Sequence, residues 1–508
     1  FLGGFYFHKN NVDTVAGPFA RLNWAYYFNS SVLNYIGLES GYSYDNVRKS
    51  RFYGGLKISF FLGGEKSNRP KGLKRRMVEY VRRDYDVVAA NNSDAPFERL
   101  NHPDGSPVTV IIAQNHAELD TAIVNDPDVV ALDGTATGAA STLLDDQFFT
   151  GGFFTFGNQH EIRLSNGGVI ENSIVLGKNN TIRDLTFKDA QLSNNLTTKP
   201  HVGTLLVKYV NFESTGLIPI QMVIADAGSD SNITIQENTF NANSSNVISI
   251  ERVGIGALTL NSIENNTINF TPKANEDSVL WIVNDVTTAA GTQTINIGQI
   301  ANNIITIDTD TFDFIRGISI RNLLNATSLS DQEILGGSIL NNTIVINKNL
   351  DHEAIFIYNF SVLTPGGIDQ KIHMDQINSN LVTISGTSKN MGILIFNEEW
   401  LPGGSTSQEV IVGEMLNNEI TIGTTTDLHG IGLFNGNVSS PQLIKIGFNG
   451  GFFGNQIQLN GTGSDMFFDN VGPNATTEIK VDYLGQDLSD ANNGANVAQQ
   501  GSGITITP

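Results

Sequence analysis

The sequence predicts an all-β protein: a right-handed parallel β-helix with three strands per coil, preceded by a few antiparallel strands of the outer-membrane β-barrel type and a basic linker. Three observations predict it. The motif "LNNTIVIN" at 340–347 returns as "ENNTINF" at 264–270 and "LNNEITIG" at 416–423. Within each period, three short strand-like runs are separated by turn residues. Gly, Asn, Thr and Ile abound while charged residues make up only 16%, a composition that suits many short strands and few helices.

Residues 1–62 hold 16 of the chain's 44 aromatic residues and alternate with a period of two. In "PFARLNWAYYF" (18–28), Leu22, Trp24 and Tyr26 share one face while Arg21 and Asn23 lie on the other. In "NYIGLESGYSY" (34–44), Leu38, Tyr42 and Tyr44 oppose Glu39. In "FYGGLKISFF" (52–61), Phe52, Leu56 and Ile58 oppose Lys57. Runs of about ten residues match a tilted strand that crosses a bilayer. A lipid-facing apolar band around a polar lumen gives this alternation, with Arg21, Asn23, Glu39 and Lys57 on the lumen side. A soluble antiparallel sheet with one wet face gives it too. Open sheet edges are not tolerated in lipid, so the membrane reading places most of the barrel upstream of Phe1. The start at Phe rather than Met fits a fragment or processed chain.

Residues 63–104 read as a linker. The net charge of −21 conceals an asymmetry: residues 1–92 carry 14 Lys and Arg against 7 Asp and Glu, whereas the rest carry 16 against 44. Such a split points to two parts in different surroundings. The basic run "KGLKRRMVEYVRRDYDVV" (71–88) has no room for a core; it is either a solvated linker or a segment threaded through a polar pore. Together with "GPFARLNWAYYF" and "ESGYSYDNVRKSRFYGGLKISFFLGG", it resembles the end of an inverse autotransporter β-domain of the intimin and invasin type. Arg75, Arg76 and Met77, then Arg83, Asp84, Asp86 and Val87, carry the match, which covers about 90 residues. The resemblance implies a barrel in the outer membrane and a linker leading through its pore to a passenger outside the cell. Adhesion through a host or neighbour-cell surface glycan or protein is its functional expectation.

The passenger spans 105–485. "SPVTVIIAQNHAELDTAIVNDPDVVALDG" (106–134) offers a strand, a short helix with Leu119, Ala122 and Ile123 on one face, and a second strand. Asn115 or His116 caps the helix, Asp126–Pro127 ends it, and it covers the exposed end of the stack. The apolar residue after each turn recurs at Phe187, Phe212, Phe240, Ile268, Ile305, Ile344, Val382, Ile420 and Ile457. In the last seven copies an Asn lies two positions earlier: Asn238, Asn266, Asn303, Asn342, Asn380, Asn418 and Asn455. Fixed periods of this size mean a solenoid or a propeller, and a propeller blade needs a fourth strand that the period lacks. A second column, Asn284, Asn322, Asn359, Asn397 and Asn435, closes the middle strand of each coil. Strand side chains alternate, so Asn342 points inward with Ile344 and Ile346, and its amide is satisfied only by a twin one coil away. The expectation is two asparagine ladders, and a rod of roughly 50 Å at the spacing of adjacent strands. Residues 486–508 are polar enough to read as a cap or tether.

Chemistry is scarce. The absence of Cys excludes disulfides and thiolate metal sites. The acidic passenger is a poor nucleic-acid binder, and no motif calls for a cofactor or metal. Asp308, Asp310 and Asp313, and Asp351–His352–Glu353, are the densest acidic clusters; solvated loops explain them, and a carbohydrate lyase or hydrolase is the alternative they keep open. Trp400 is a candidate contact aromatic or a loop-base packing residue. A second alternative is a soluble β-helix whose first 62 residues are an extra sheet.

Overall fold

The computed structural model describes residues 2–9, 14–27, 33–45, 49–60 and 107–507, except 157–159, 195–201, 226–230, 286–289, 310, 325–329, 348–350, 363–367, 386–388, 401–406, 424–427, 437–440, 461–462, 471–476, 484–488, 490–491 and 493–494. The linker residues Arg75, Arg76, Met77, Arg83, Asp84, Asp86 and Val87, and the side chains of Arg21 and Asn23, lie outside the described set. The chain divides into two compact units, residues 1–98 and 99–508.

In the first unit, β1 (Leu2–Lys9), β2 (Thr14–Tyr27), β3 (Leu33–Asp45) and β4 (Lys49–Phe60) form an antiparallel meander in chain order. The alternation sorts its side chains as expected. Leu22, Trp24, Tyr26, Leu38, Tyr42, Phe52, Leu56 and Ile58 are all exposed, Phe52 at 78%. On the opposite side Glu39 is buried and pairs with Lys57.

The second unit opens with β5 (Val110–Asn115), α1 (His116–Val124) and β6 (Val129–Ala136). Asn115 is the cap: its side chain accepts the Glu118 N–H at 3.0 Å, and the Glu118 carboxylate reaches back to the Gln114 N–H at 2.9 Å. Leu119, Ala122 and Ile123 are buried.

Beyond this cap the chain winds as a parallel β-helix with three strands per coil. Thr343–Asn347 lies between Ile304–Asp308 and Leu381–Ser385. His352–Ser361 lies between Ile315–Leu324 and Asn390–Glu399, and Asp369–Asn378 between Ser330–Leu340 and Ser407–Leu416. All of these pairings are parallel. The predicted apolar column is in register throughout, from Phe187 opposite Phe212 to Ile420 opposite Ile457. Phe187, Phe212 and Phe240 stack with ring centroids 4.9 and 4.8 Å apart. Each buried Ile in the column contributes about 2 kcal/mol by transfer from water.

The doubled Asn of the motif has two different jobs. Its first member turns the corner in the left-handed region: Asn265, Asn302, Asn341 and Asn417 have φ between 52° and 58°, a conformation Asn tolerates better than most residues. Its second member begins the next strand and points inward.

The stack also continues past 485. Val497–Gly501 pairs in parallel with Gly463–Asn470, and Ile504–Thr507 with Thr477–Asp482. The polar segment read as a cap or tether thus supplies the strands of a last, thinner coil, with Gln499 exposed opposite the buried Phe468 of the coil before.

Candidate functional site

The recurring amides are architecture. Asn342 Nδ2 donates to Asn380 Oδ1 at 3.0 Å and to the Ile300 carbonyl at 2.8 Å, and its backbone N–H donates to the same Oδ1 at 3.0 Å. This unit repeats from Asn238 through Asn266, Asn303, Asn342, Asn380 and Asn418 to Asn455, and reaches one rung further, to Asn492. The second ladder runs from Asn284 through Asn322, Asn359 and Asn397 to Asn435 and on to Asn470, at 2.9–3.1 Å. All are buried.

A third ladder stands beside the second. Gln332 donates to Gln293 at 3.0 Å, Gln370 to Gln332 at 3.1 Å, Gln408 to Gln370 at 2.8 Å and Gln442 to Gln408 at 2.7 Å. The same Nε2 atoms also donate to carbonyls of the middle strands, such as Leu323 and Phe360. Sequence reasoning missed it although the spacing is nearly as regular, because Gln293 and its fellows begin a strand rather than follow a turn.

Outside the ladders, the twelve-stranded sheet built from the middle strands carries a varied outer face. Its inward column is the second ladder, so the residue before each Asn points outward. Val283, Arg321, Tyr358, Phe396 and Phe434 occupy that column in register, and Trp281, Ser319, Phe356, Leu394, Gly432 and Phe467 occupy the one two positions earlier. Tyr358 and Phe396 are 5.4 Å apart, Phe396 and Phe434 5.8 Å, and Phe434 and Phe467 5.4 Å. Phe360 meets Trp400 edge-on at 5.4 Å, and Trp400, 65% exposed, donates its indole N–H to Glu398 at 2.7 Å. Glu398 also receives the Tyr358 hydroxyl. Burial, then the Glu398 charge, pushes the Tyr358 phenol far up, so it stays protonated and donates to Glu398.

At one end of this aromatic strip two arginines are folded into the rings. The Arg321 guanidinium lies 4.3 Å from the Trp281 ring and 4.9 Å from Phe356, and Arg316 lies 4.5 Å from Phe356. Arg316 faces Glu353 at 3.2 Å without an aligned hydrogen bond. Burial lowers the Arg321 pKa and raises that of Glu353. These groups fasten coils together; the rings beyond them form a stacking platform.

Among the described residues the acidic clusters do not gather into one site. Asp308 is exposed, Asp310 lies outside the described residues, and the Asp313 N–H donates to Asn275 Oδ1 at 3.0 Å in a turn. Asp351 accepts the Lys389 N–H at 2.8 Å, His352 is buried, and Glu353 faces Arg316. Burial holds the His352 pKa down to about 4. Among the described residues no three His, Asp or Glu side chains gather as a metal cluster. Trp400 is the predicted site residue that the structure brings into a larger grouping. Its ring partner Phe360 and its acceptor Glu398 each stand one place after an Asn of the second column, Asn359 and Asn397.

Comparison with family models, with curated proteins and with solved structures found no match for the chain.

Proposed function

We propose that the chain is part of a bacterial surface protein. Its first strands belong to an outer-membrane barrel of the inverse autotransporter kind, residues 63–104 lead outward through the pore, and the coils form a right-handed β-helical passenger that adheres to a surface glycan. The observation that carries the anchor is the one-sided sheet of residues 2–60. A continuous apolar face as large as Leu22, Trp24, Leu38, Phe52, Leu56 and Ile58 make together is rare on soluble monomers and ordinary on a lipid-facing wall. The adhesive reading is supported by the strip of Tyr358, Phe360, Phe396, Trp400, Phe434 and Phe467, since sugars stack their apolar faces on such rings. Glu398 and Asp469 border the rings, which favours a neutral glycan over an acidic one.

Single-tryptophan variants of the full chain test both parts. Reconstituted with lipid vesicles brominated in the acyl chains, a chain keeping only Trp24 should be quenched, whereas chains keeping only Trp281 or Trp400 should not; equal quenching sinks the anchor. On an immobilised neutral glucan, Trp400→Ala should elute earlier than wild type, and an unchanged elution sinks the strip.

A further inference from the structure

The first coils carry a second feature that the aromatic strip does not use. Phe153–Phe156 and His160–Arg163 form an antiparallel hairpin in a unit otherwise paired in parallel. Against the side of the coils it bounds a cleft of about 350 Å³, lined by Gly152, Phe153, Arg163, Asp184, Tyr209 and Asn211 among others. That volume is at the lower end of small-ligand sites. A Cβ on Gly152 would sit 2.8 Å from that of Asp184, so the hairpin approaches this closely only because it turns on glycine.

The corner column beneath the cleft is unusual. In later coils the left-handed corner is occupied by Asn265, Asn302, Asn341, Ser379, Asn417 and Gly454, all small. Here the same corner holds Asp184, Tyr209 and Glu237, with φ of 55°, 57° and 55°. A bulky Tyr in this region is strained, and strain kept at one place in an otherwise regular array points to a use for the side chain. Tyr209 is 43% exposed, with the Arg183 guanidinium 5.3 Å and the Lys208 ammonium 4.7 Å from its ring.

The charges around it are not all paired alike. Arg183 donates to Asp184 Oδ2 at 2.6 Å, and Lys208 pairs with Glu237 at 3.1 Å. Arg163, exposed at the rim, lies over Phe153 at 5.8 Å and donates its Nε–H to the Ser165 carbonyl; among the described residues it has no carboxylate partner. Arg163 and Asp184 are the charged residues that line the cleft, and of the two it is Arg163 that faces no opposite charge among the described residues. The neighbouring Tyr209 hydroxyl, and then the Lys208 ammonium, hold the Glu237 carboxyl below its ordinary pKa.

We propose that this cleft binds a carboxylate-bearing saccharide, with Arg163 clamping the carboxylate, the sugar ring lying against Tyr209, and Asp184 and Asn211 taking hydroxyls. A guanidinium fork matches a carboxylate in two parallel hydrogen bonds, and the site is separate from the strip that meets a neutral glycan.

The test is calorimetry on the full chain with trigalacturonate, its methyl ester and inorganic sulfate. Trigalacturonate should bind; the ester and sulfate should bind at least about tenfold more weakly, and Arg163→Gln should lose about as much, the equivalent of one charge-assisted hydrogen bond. Tyr209→Asn, the residue that later corners use, should weaken binding similarly while leaving Tm unchanged or higher, a separation that a merely structural tyrosine would not give. The proposal is overturned if wild type does not bind trigalacturonate, if the ester or sulfate binds equally well, or if either variant binds like wild type. A Tm lowered by Tyr209→Asn also overturns it.

Discussion

Removing one rung from the middle of the first ladder should open the rod locally. In Asn342→Ala the lost side chain takes four hydrogen bonds with it. Two are those it donates to Ile300 O and Asn380 Oδ1, and two are those its Oδ1 accepts from the backbone N–H and the Nδ2 of Asn303. Asn380 Oδ1 keeps the Asn342 backbone N–H as a donor, and Asn303 Nδ2 keeps the Ile263 carbonyl. What remains uncompensated is the buried Asn303 N–H and one proton of its side chain. At about 1–3 kcal/mol for each orphaned buried group, the change costs about 4 kcal/mol.

Stability in a stacked rod is a sum over neighbouring coils, so the loss should appear where the rung was rather than in one global transition. Amide hydrogen exchange of the full chain is the assay. The amides of 303–307 and 343–346 should lose about three decades of protection, while those of 233–235 keep theirs. The outward Asn241→Ala, whose side chain accepts one exposed hydrogen bond from Asn269, should change nothing beyond about 0.5 kcal/mol. Loss of less than about one decade around Asn342, or an equal loss at every coil, would refute the claim that the amides are held by their twins.

Two further outcomes follow from single positions. His352 has a folded pKa of about 4, below its ordinary 6.5, so its contribution to stability is complete above pH 6.5 and is lost as pH falls toward 4. The total is about 3 kcal/mol; urea midpoints across this window should slope in wild type and flatten in His352→Asn, the residue that Asn390 supplies one coil later. Gly430→Ala would put a Cβ 2.3 Å from Ile457 Cγ2 and 2.7 Å from the Asp465 carbonyl, so it should cost about 1–3 kcal/mol by overpacking, read as a lower urea midpoint; an unchanged midpoint would contradict the packing at that corner.

The parts of this fold that the sequence announced are those where identical neighbours must meet. Asn380 recurs as Asn418 because only another amide at the same place satisfies both its donor and its acceptor, and Ile344 recurs as Val382 because the core beneath is the same width at every coil. Positions with no such partner left weaker marks. The glutamine file was hidden because its members open long strands, and its last interval, Gln408 to Gln442, contracts while the next strand absorbs a register shift around Gly447–Gly451. The hairpin after Gly151–Gly152 left no periodic mark, since a four-residue strand leaves no period to detect. The outer strip was hardest to see. Its column changes from Val283 to Arg321 to Tyr358, and no chemical rule ties one to the next, although each precedes an Asn that could be counted.

The directions of the three ladders explain why that outer freedom is safe. In both asparagine files the side-chain N–H is handed forward, from Asn342 to Asn380 and from Asn359 to Asn397. In the glutamine file it is handed back, from Gln370 to Gln332. Each file polarises its own members, and the glutamine file, running against the two asparagine files, offsets part of their dipole. A slip of one residue in any strand would break rungs in an internal file, at a cost of several kcal/mol. Register is therefore fixed from inside, and replacing Ser319 by the Phe356 of the next coil, or Phe396 by Phe434, cannot shift it. A rod secured in this way can carry a different outer side chain on every coil, which is the property a surface for contacting other molecules requires.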